Sequence, residues 1–300
     1  MIVITLDSQV LSKIAGDEYL FNQIYEKAEK LYKSQCLVFL FSPIVFIESM
    51  KGVKSEKHFI IDQNRVRKAS ILCNKHFLPD TSNHLRNTIK LNSEKDAYLI
   101  GNNWNRRFYE IATCDSFEVY QAKHMPTFIR LNRQIEENHK AIKTILTQVQ
   151  SGLKGEEYKN EEFMNSLRLD FLNIAIDHFD IKNAITLTMY SLTEIERKLP
   201  GLTFFAFSYA KLVQDYFDPD GRKDLLASDY CDMLQTIYLD TCDYIVSEDR
   251  YFAGIVNNSG LKELEGRVIT FAEFTRFLDN LPLEKKAPYN PDFIQIPPQN

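Results

Sequence analysis

Segments with the character of buried β-strands occur only near the two ends of this chain of 300 residues. Two lie at the start, Ile2–Leu6 and Cys36–Phe41, and two near the end, Tyr244–Val246 and Arg267–Thr270. Each is a short run rich in apolar and β-branched residues, bounded by polar residues. Because strands must pair to satisfy their backbone groups, the sequence predicts one α/β sheet built from both ends of the chain.

The middle of the chain has a different pattern, in which apolar residues recur at helical spacing and no alternating strand pattern is visible. The helices predicted there are Gln63–Cys73, Asn105–Cys114, Phe128–Val149, Glu156–Phe179 and Lys182–Lys198. We therefore expect a discontinuous core, residues 1–52 and 206–282, interrupted by an all-helical insertion at residues 53–205. Five of the ten prolines lie in the last twenty residues, so residues 283–300 are expected to form an extended tail.

Composition places the chain among folded proteins with a large core. Apolar residues make up 44% of the sequence, including 21 Phe and 15 Tyr. The five cysteines form no CxxC or zinc-site spacing, and we expect them to be reduced and mostly buried. The N-terminus predicts a strand rather than a signal peptide, and no apolar run approaches the ~20 residues that span a bilayer. The expected location is cytoplasmic, with no membrane partner.

Four carboxylates stand at comparable places relative to the predicted strands. Asp7 follows the first strand, Glu48 lies on the helix after the second, and Asp249 follows the third. Asp232 is expected near the start of the helix that precedes the third strand. The carboxyl edge of a parallel sheet is where α/β proteins bind ligands, so these groups are candidates for a shared site. Ordinary helix capping is the alternative for each Asp taken alone.

The order of these motifs resembles the PIN-domain family of metal-dependent nucleases. The matching segments are ITLDS at Asp7, SPIVFIES at Glu48, DYCDMLQ at Asp232 and the Ser-Glu-Asp that ends on Asp249. The resemblance covers residues 1–50 and about 225–280, and the late block is its more specific half. Compact members of that family lack a long middle segment, so their substrates and partners cannot be carried over to this chain.

The resemblance implies a PIN-like parallel sheet flanked by helices and an Mg²⁺ or Mn²⁺ ion held by Asp7, Asp232 and Asp249. In that scheme Glu48 orients a metal-bound water, and the Ser247 hydroxyl holds a carboxylate or a metal-bound water. A divalent cation suits phosphodiester hydrolysis because it offsets the charge that grows on the phosphate and the leaving oxygen.

Three further aspartates lie near these positions in the sequence. Asp229, one helical turn before Asp232, is either a supporting ligand or a solvent-facing residue. Asp240 and Asp243 are expected to be surface or capping residues.

Charge is distributed unevenly along the chain. Residues 51–110 carry twelve Lys and Arg against six Asp and Glu, whereas residues 202–300 carry nine against sixteen. A basic segment and an acidic segment in one chain suit a protein that binds a polyanion and a cation. An equally good interpretation is that solvent-exposed helix faces simply differ in charge. The residues expected to contact nucleic acid, most simply single-stranded RNA, are Arg65, Arg67, Lys68, Arg106 and Arg107. Trp104 either stacks on a base or, more simply, packs within the insertion.

The leading hypothesis is a metal-dependent endonuclease, and more narrowly an endoribonuclease, with an inhibitory or partner protein left open. A PIN-like scaffold without catalysis is the first alternative. A phosphatase of the haloacid dehalogenase type is the second and is disfavoured, because Asp7 is followed by Ser8-Gln9 rather than by the x-Asp of a DxD motif. The six histidines form no close ligand pair and no phosphate-binding glycine loop is present, which argues against zinc and nucleotide chemistry.

Overall fold

A four-stranded parallel sheet lies at the centre of the protein, with its strands in the order Leu37–Leu40, Ile2–Leu6, Tyr244–Val246 and Val268–Ile269. The computed structural model describes residues 1–74, 76–91, 103–152, 157–179, 181, 192–221 and 224–281. The strands are β1 (Ile2–Leu6), β2 (Leu37–Leu40), β3 (Tyr244–Val246) and β4 (Val268–Ile269). All four predicted strands are therefore confirmed, with β2 and β4 each shorter by two residues. The predicted tail and residues 182–191 of one predicted helix lie outside the described residues.

Helices cover both faces of the sheet. They are α1 (Ser8–Gly16), α2 (Glu18–Lys33), α3 (Pro43–Met50), α4 (Glu56–Leu72), α5 (Thr81–Leu91), α6 (Asn103–Ala112), α7 (Phe117–Lys123), α8 (Met125–Gly152), α9 (Glu161–His178), α10 (Leu192–Lys198), α11 (Pro200–Phe217), α12 (Ala227–Gln235), α13 (Arg250–Asn257) and α14 (Phe271–Asn280). Short 3₁₀ helices occupy Glu157–Lys159, Thr236–Asp240 and Lys262–Leu264. The prediction missed α5, α7, α13 and the first two turns of α4. Of the described helices, none combines the length and apolarity required to cross a bilayer.

Alternation along the strands divides the core into two layers. In β2, Val38 and Leu40 face one hydrophobic cluster while Leu37 and Phe39 face the other. Such near-continuous apolar strands are typical of parallel sheets that are covered on both faces. One layer is built mainly on α9, α11 and α12, and the other on α1 to α4, α6 and α14. The 28-residue α8 contributes to both layers.

Helices from the predicted insertion supply much of this core. Phe59 of α4 and Phe108 of α6 belong to the same cluster as Phe39, and Phe171 of α9 belongs to the cluster of Val38. Among the described residues of 53–205, backbone pairing with the sheet is limited to one isolated parallel bridge between Phe77 and Phe41, next to the end of β2. The middle of the chain therefore packs directly on the strands contributed by its two ends.

The start of α11 packs closely against the 3₁₀ helix Thr236–Asp240, which precedes β3. A Cβ at Gly201, at the start of α11, would lie 2.3 Å from the backbone oxygen of Ile237, so a side chain cannot be accommodated there. Arg267, just before β4, binds the residues at the end of this 3₁₀ helix. Its guanidinium donates to the backbone oxygens of Asp243 at 2.5 Å, Leu239 at 2.7 Å and Cys242 at 2.6 Å. These carbonyls lie at the end of the 3₁₀ helix, where no intrahelical donor remains.

Removing the Arg267 side chain should destabilise the whole sheet. Arg267→Ala leaves three partly buried carbonyls without their charged donor, and we expect a loss of about 2–3 kcal/mol in the free energy of unfolding. Urea denaturation followed by circular dichroism measures this loss. Arg276→Ala, at an exposed position of α14, is the matched control and should change stability by less than about 0.5 kcal/mol. Equal effects of the two substitutions would show that the Arg267 contacts carry no stability.

Candidate functional site

The carboxyl ends of β1 and β3 bring Asp7 and Ser247 into contact. The two strands pair in parallel with Leu6 opposite Val246, so the residues that follow them are neighbours. The Ser247 hydroxyl donates a hydrogen bond to Oδ2 of Asp7, and the backbone N–H of Asp249 donates to the Ser247 oxygen at 3.0 Å. Asp7, at 5% exposure, and Ser247, at 1%, are both buried. The Ser247 hydroxyl thus links the first and the third strand at the edge that the sequence predicted.

Two of the four carboxylates also cap helices. Oδ1 of Asp7 accepts from the backbone N–H of Val10 at 2.6 Å at the start of α1. Oδ1 of Asp249 accepts from the N–H groups of Tyr251 at 2.8 Å and Phe252 at 3.0 Å at the start of α13. The capping interpretation is therefore correct for both residues, and it fixes the orientation of each side chain. Oδ2 of Asp249 takes no part in the cap, because both backbone N–H groups donate to Oδ1.

Glu48 lies in the second turn of α3 with only 9% of its side chain exposed. Burial raises the pKa of Glu48, while the Lys51 ammonium at 3.9 Å and a hydrogen bond from Ser8 lower it. The negative charge of Asp7 raises the pKa of Glu48 further. The sequence prediction did not include Ser8 and Lys51 in the site. Their only sequence signals are that Ser8 follows Asp7 directly and that Lys51 lies one turn after Glu48.

The position expected for Asp232 requires a correction. The helix begins at Ala227, so Asp232 lies in its second turn rather than at its start. The capping role belongs to Asp229, whose Oδ2 accepts from the backbone N–H of Leu226 at 2.6 Å. Asp229 is accordingly buried, at 5% exposure, and is not the solvent-facing residue that one alternative expected.

The four carboxylates influence one another electrostatically. Burial raises the pKa of Asp232 well above its ordinary value, and the charges of Glu48, Asp249, Asp229 and Asp7 raise it further. Burial likewise raises the pKa of Asp7, against the hydrogen bond from Ser247, and the charge of Asp249 adds to that rise. The structure therefore brings Asp7, Glu48, Asp232 and Asp249 to one region. Like charges so placed favour protonation unless a cation is present.

The donor chemistry of this region fits a hard divalent cation, since carboxylate and hydroxyl oxygens are the ligands that Mg²⁺ and Mn²⁺ prefer. The side chains are not arranged as a finished site, however. In the described part of the chain, no group of three or more His, Cys, Asp or Glu side chains has the geometry to hold a metal ion. The caps made by Asp7 and Asp249 account for part of this, because they direct carboxylate oxygens towards backbone amides.

Asp240 is not a surface residue, and Asp243 is half-buried. The Asp240 side chain is fully buried and contacts Nε2 of the fully buried His84 at 2.7 Å. Oδ2 of Asp243 accepts from the backbone N–H of Val3 at 2.8 Å and so helps to fasten β1. The prediction for Asp240 was wrong because its partner lies on α5, a helix that the sequence pattern did not reveal. This buried pair joins α5 to the 3₁₀ helix before β3.

The predicted nucleic-acid contacts differ in their surroundings. Lys68 is buried, at 7% exposure, and its ammonium binds the carbonyl of Ala15 and the carboxylate of Glu18. Its assignment to a nucleic-acid surface was therefore wrong, because the charge is directed into the protein.

The predicted arginines remain near the surface. Arg65 pairs with Asp62, and Arg67 donates to the backbone oxygen of Ala112. Arg106 and Arg107, with Lys123, line a groove of about 670 Å³ between α6 and α7. Arg106 is paired there with Glu110, whose negative charge partly offsets it.

Comparisons of this chain with models of protein families, with curated proteins and with solved structures find no match. What the site can do must therefore be argued from its own geometry.

All five cysteines are free thiols, and all except Cys36 are buried, as the sequence predicted.

Replacing Asp232 by Asn should stabilise the metal-free protein near neutral pH. Because the folded-state pKa of Asp232 is raised, the folded protein binds more protons than the unfolded chain, and stability falls as pH rises through that window. We expect Asp232→Asn to add about 1 kcal/mol or more at about pH 7.5, as one unit of pKa shift corresponds to about 1.4 kcal/mol. Little gain is expected at about pH 4, where the carboxyl is already protonated in the folded state.

Urea denaturation in EDTA at both pH values measures this difference. Asp170→Asn, which removes the same charge from an exposed position on α9, is the control and should have little effect at either pH. A destabilised Asp232→Asn protein at about pH 7.5 would contradict the electrostatic interpretation.

Proposed function

We propose that the protein is a metal-dependent endonuclease with a PIN-like core, and that RNA is its substrate. The observation that carries this proposal is the contact between Asp7 and Ser247 at the carboxyl edge of the parallel sheet, together with the negative charges of Glu48, Asp249 and Asp7 that raise the pKa of Asp232. Such a cluster is electrostatically unfavourable by itself, and a divalent cation is the simplest partner that relieves it. A cytoplasmic location is part of the same proposal.

In this proposal Asp7, Asp232 and Asp249 would hold Mg²⁺ or Mn²⁺. When bound, the cation offsets the charge on the phosphate and lowers the pKa of a water that attacks it. Ser247 keeps the Asp7 carboxylate oriented through its hydrogen bond. Glu48, which is nearly buried in the second turn of α3, would orient the attacking water and accept its proton in this proposal.

A scaffold that retains the acids without catalysis is the competing function. The observation that favours it is the absence of a finished three-ligand metal site among the described side chains. Capping roles also give Asp7, Asp229 and Asp249 a structural reason to be present. An assay that separates capping from charge therefore decides between the two functions.

Asn substitutions make that separation, since Asn caps helices about as well as Asp but lacks the negative charge. Asp7→Asn or Asp249→Asn should lower cleavage of labelled single-stranded RNA by about 100-fold or more, because the charge of a bound cation contributes several kcal/mol to the barrier. Activity should require Mn²⁺ or Mg²⁺ and stop on addition of EDTA. The rate of appearance of labelled fragments is the measurement, with single-stranded DNA as a second substrate.

Asp17→Asn is the matched control, because Asp17 caps α2 in the same way and is exposed. It should leave cleavage unchanged. Equal cleavage by wild type and Asp249→Asn would indicate a contaminating nuclease. No cleavage by wild type with any divalent metal would favour the scaffold function instead.

The groove beside α6 is the best candidate for the path of the nucleic-acid backbone. Arg106→Ala combined with Arg107→Ala should weaken RNA binding and leave the acids untouched, because these residues lie on the groove and not at the sheet edge. The slope of log affinity against log salt should decrease by about 1.4, as each phosphate contact to a single strand contributes about 0.7. Fluorescence anisotropy of labelled RNA over a salt series measures it.

Lys30→Ala combined with Lys33→Ala removes two positive charges from exposed positions at the end of α2 and serves as the control. If both pairs change the slope equally, the effect is one of net charge and the groove has no special role.

A further inference from the structure

A cavity of about 320 Å³ is lined in part by α3 and α12, the helices that carry Glu48 and Asp232, and it has no part in the mechanism above. This volume is at the low end of the roughly 300–1,000 Å³ that small-molecule sites occupy, so the cavity suits one ring-bearing group rather than a length of chain. Its walls combine aliphatic and aromatic side chains, with hydrogen-bonding side chains among them. The aromatic residues are Trp104, Phe179, Tyr230 and Tyr238, and polar residues include Thr81, Ser82, Gln134, Asn138 and His178.

The cavity and the acids share two helices. On α3, Ile44 and Ile47 line the cavity and Glu48 follows them directly. On α12, Tyr230 and Cys231 line the cavity and Asp232 is the next residue. The charges of Glu48 and Asp232 also add to the raised pKa of the Cys231 thiol, whose main cause is burial. Each of these two helices therefore carries one carboxylate of the cluster beside its cavity-lining residues.

Trp104 is fixed in position by its neighbours. Its ring meets Phe46 edge to face with centroids 6.0 Å apart, and it lies 6.3 Å from the ring of Phe108. The guanidinium carbon of Arg107 lies 5.7 Å from the Trp104 ring centroid. A ring held in this way loses little entropy when a planar ligand stacks on it, and base–aromatic stacking is tolerant of which base is present.

The charge of the lining selects a neutral ligand over a phosphate. Among the described residues that line the cavity, none is Lys or Arg, and the Asp80 carboxylate is present. The side-chain amide of Gln134 on α8 offers a donor and an acceptor, whereas the amide of Asn138 already hydrogen-bonds to Tyr230. Donor and acceptor pairs of this kind match the edges of nucleobases, and single-stranded RNA presents such edges when its bases are unstacked.

We propose that this cavity binds one unpaired nucleobase of the substrate strand next to the bond that is cut, with Trp104 as the stacking surface and Gln134 as a hydrogen-bonding partner. The cavity would then set the cleavage preference of the enzyme. Trp104 and the two arginines of the groove lie on the same helix, α6, so a strand could pass from the groove to the cavity. This inference rests on the proposed nuclease function.

The fluorescence of Trp104 tests the cavity without any need for catalysis, because Trp104 is the only tryptophan in the chain. Full-length Asp249→Asn protein is titrated with a short single-stranded RNA, with an abasic strand of the same length, and with mononucleotides. We expect saturable quenching by the intact RNA and none by the abasic strand. Loss of base stacking should weaken binding of the abasic strand by about 5- to 150-fold, measured by anisotropy.

Two substitutions extend the test. Gln134→Ala should weaken binding of intact RNA by about 2- to 12-fold, the effect of one hydrogen bond. Gln150→Ala, the same change at an exposed position near the end of α8, should have no effect. Ser82→Phe should fill the cavity and abolish quenching while the far-ultraviolet circular dichroism stays unchanged.

The outcomes separate the two proposals. Cleavage by wild type together with equal binding and equal fluorescence for intact and abasic strands would overturn the cavity proposal and leave the nuclease standing. Base-dependent quenching without cleavage by wild type would support base binding in the cavity, but it would reject the nuclease and with it the role of the cavity in cleavage preference. Mononucleotides that bind as tightly as the strand would show that the base comes from a free nucleotide, which overturns the assignment to the substrate.

Discussion

The parallel pairing of β1 with β3 is the constraint on which both fold and site depend. It joins segments about 240 residues apart, and Ser247 secures the junction by its hydrogen bond to Asp7. Closing a loop of that length adds little to the entropic cost of a shorter loop, since the cost grows only with the logarithm of length. The larger need is for apolar surface to cover the sheet. Helices of the middle segment meet that need by packing on both faces.

The acidic cluster is held in place against its own electrostatics. Burial and neighbouring charges raise the pKa values of Asp7, Glu48 and Asp232, which means that the ionised form of each is less stable here than in solvent. Helix caps and the Ser247 hydroxyl compensate by giving Asp7 and Asp249 several hydrogen-bond donors. Local structure thus tolerates an arrangement that lowers stability near neutral pH, and arrangements of this kind are concentrated at functional sites.

Patterns that depend on neighbours in sequence were predicted well. The strands, the helix that carries Glu48 and the edge location of Asp7 follow from apolar runs and their polar ends. Features that depend on distant partners could not be predicted in this way. Nothing in the sequence around Asp240 indicates His84, 156 residues away, and nothing around Lys68 indicates its contact with Ala15. The helix start at Ala227 was missed because its cap comes from a residue inside the helix, Asp229.

The division between the strand-bearing ends and the helical middle has a consequence for function. The acids come from the two ends of the chain, whereas Trp104, Gln134 and the arginines of the groove come from the middle. A substrate would therefore meet recognition surfaces and reactive groups that belong to different parts of the sequence. Asp7 and Asp249 are positioned by strand pairing and helix caps that α6 and α8 do not supply, so substitutions in these helices could change what binds without moving those two carboxylates. Glu48 and Asp232 lie on α3 and α12, which pack against α8, so a change in α8 that alters selectivity also bears on these two acids.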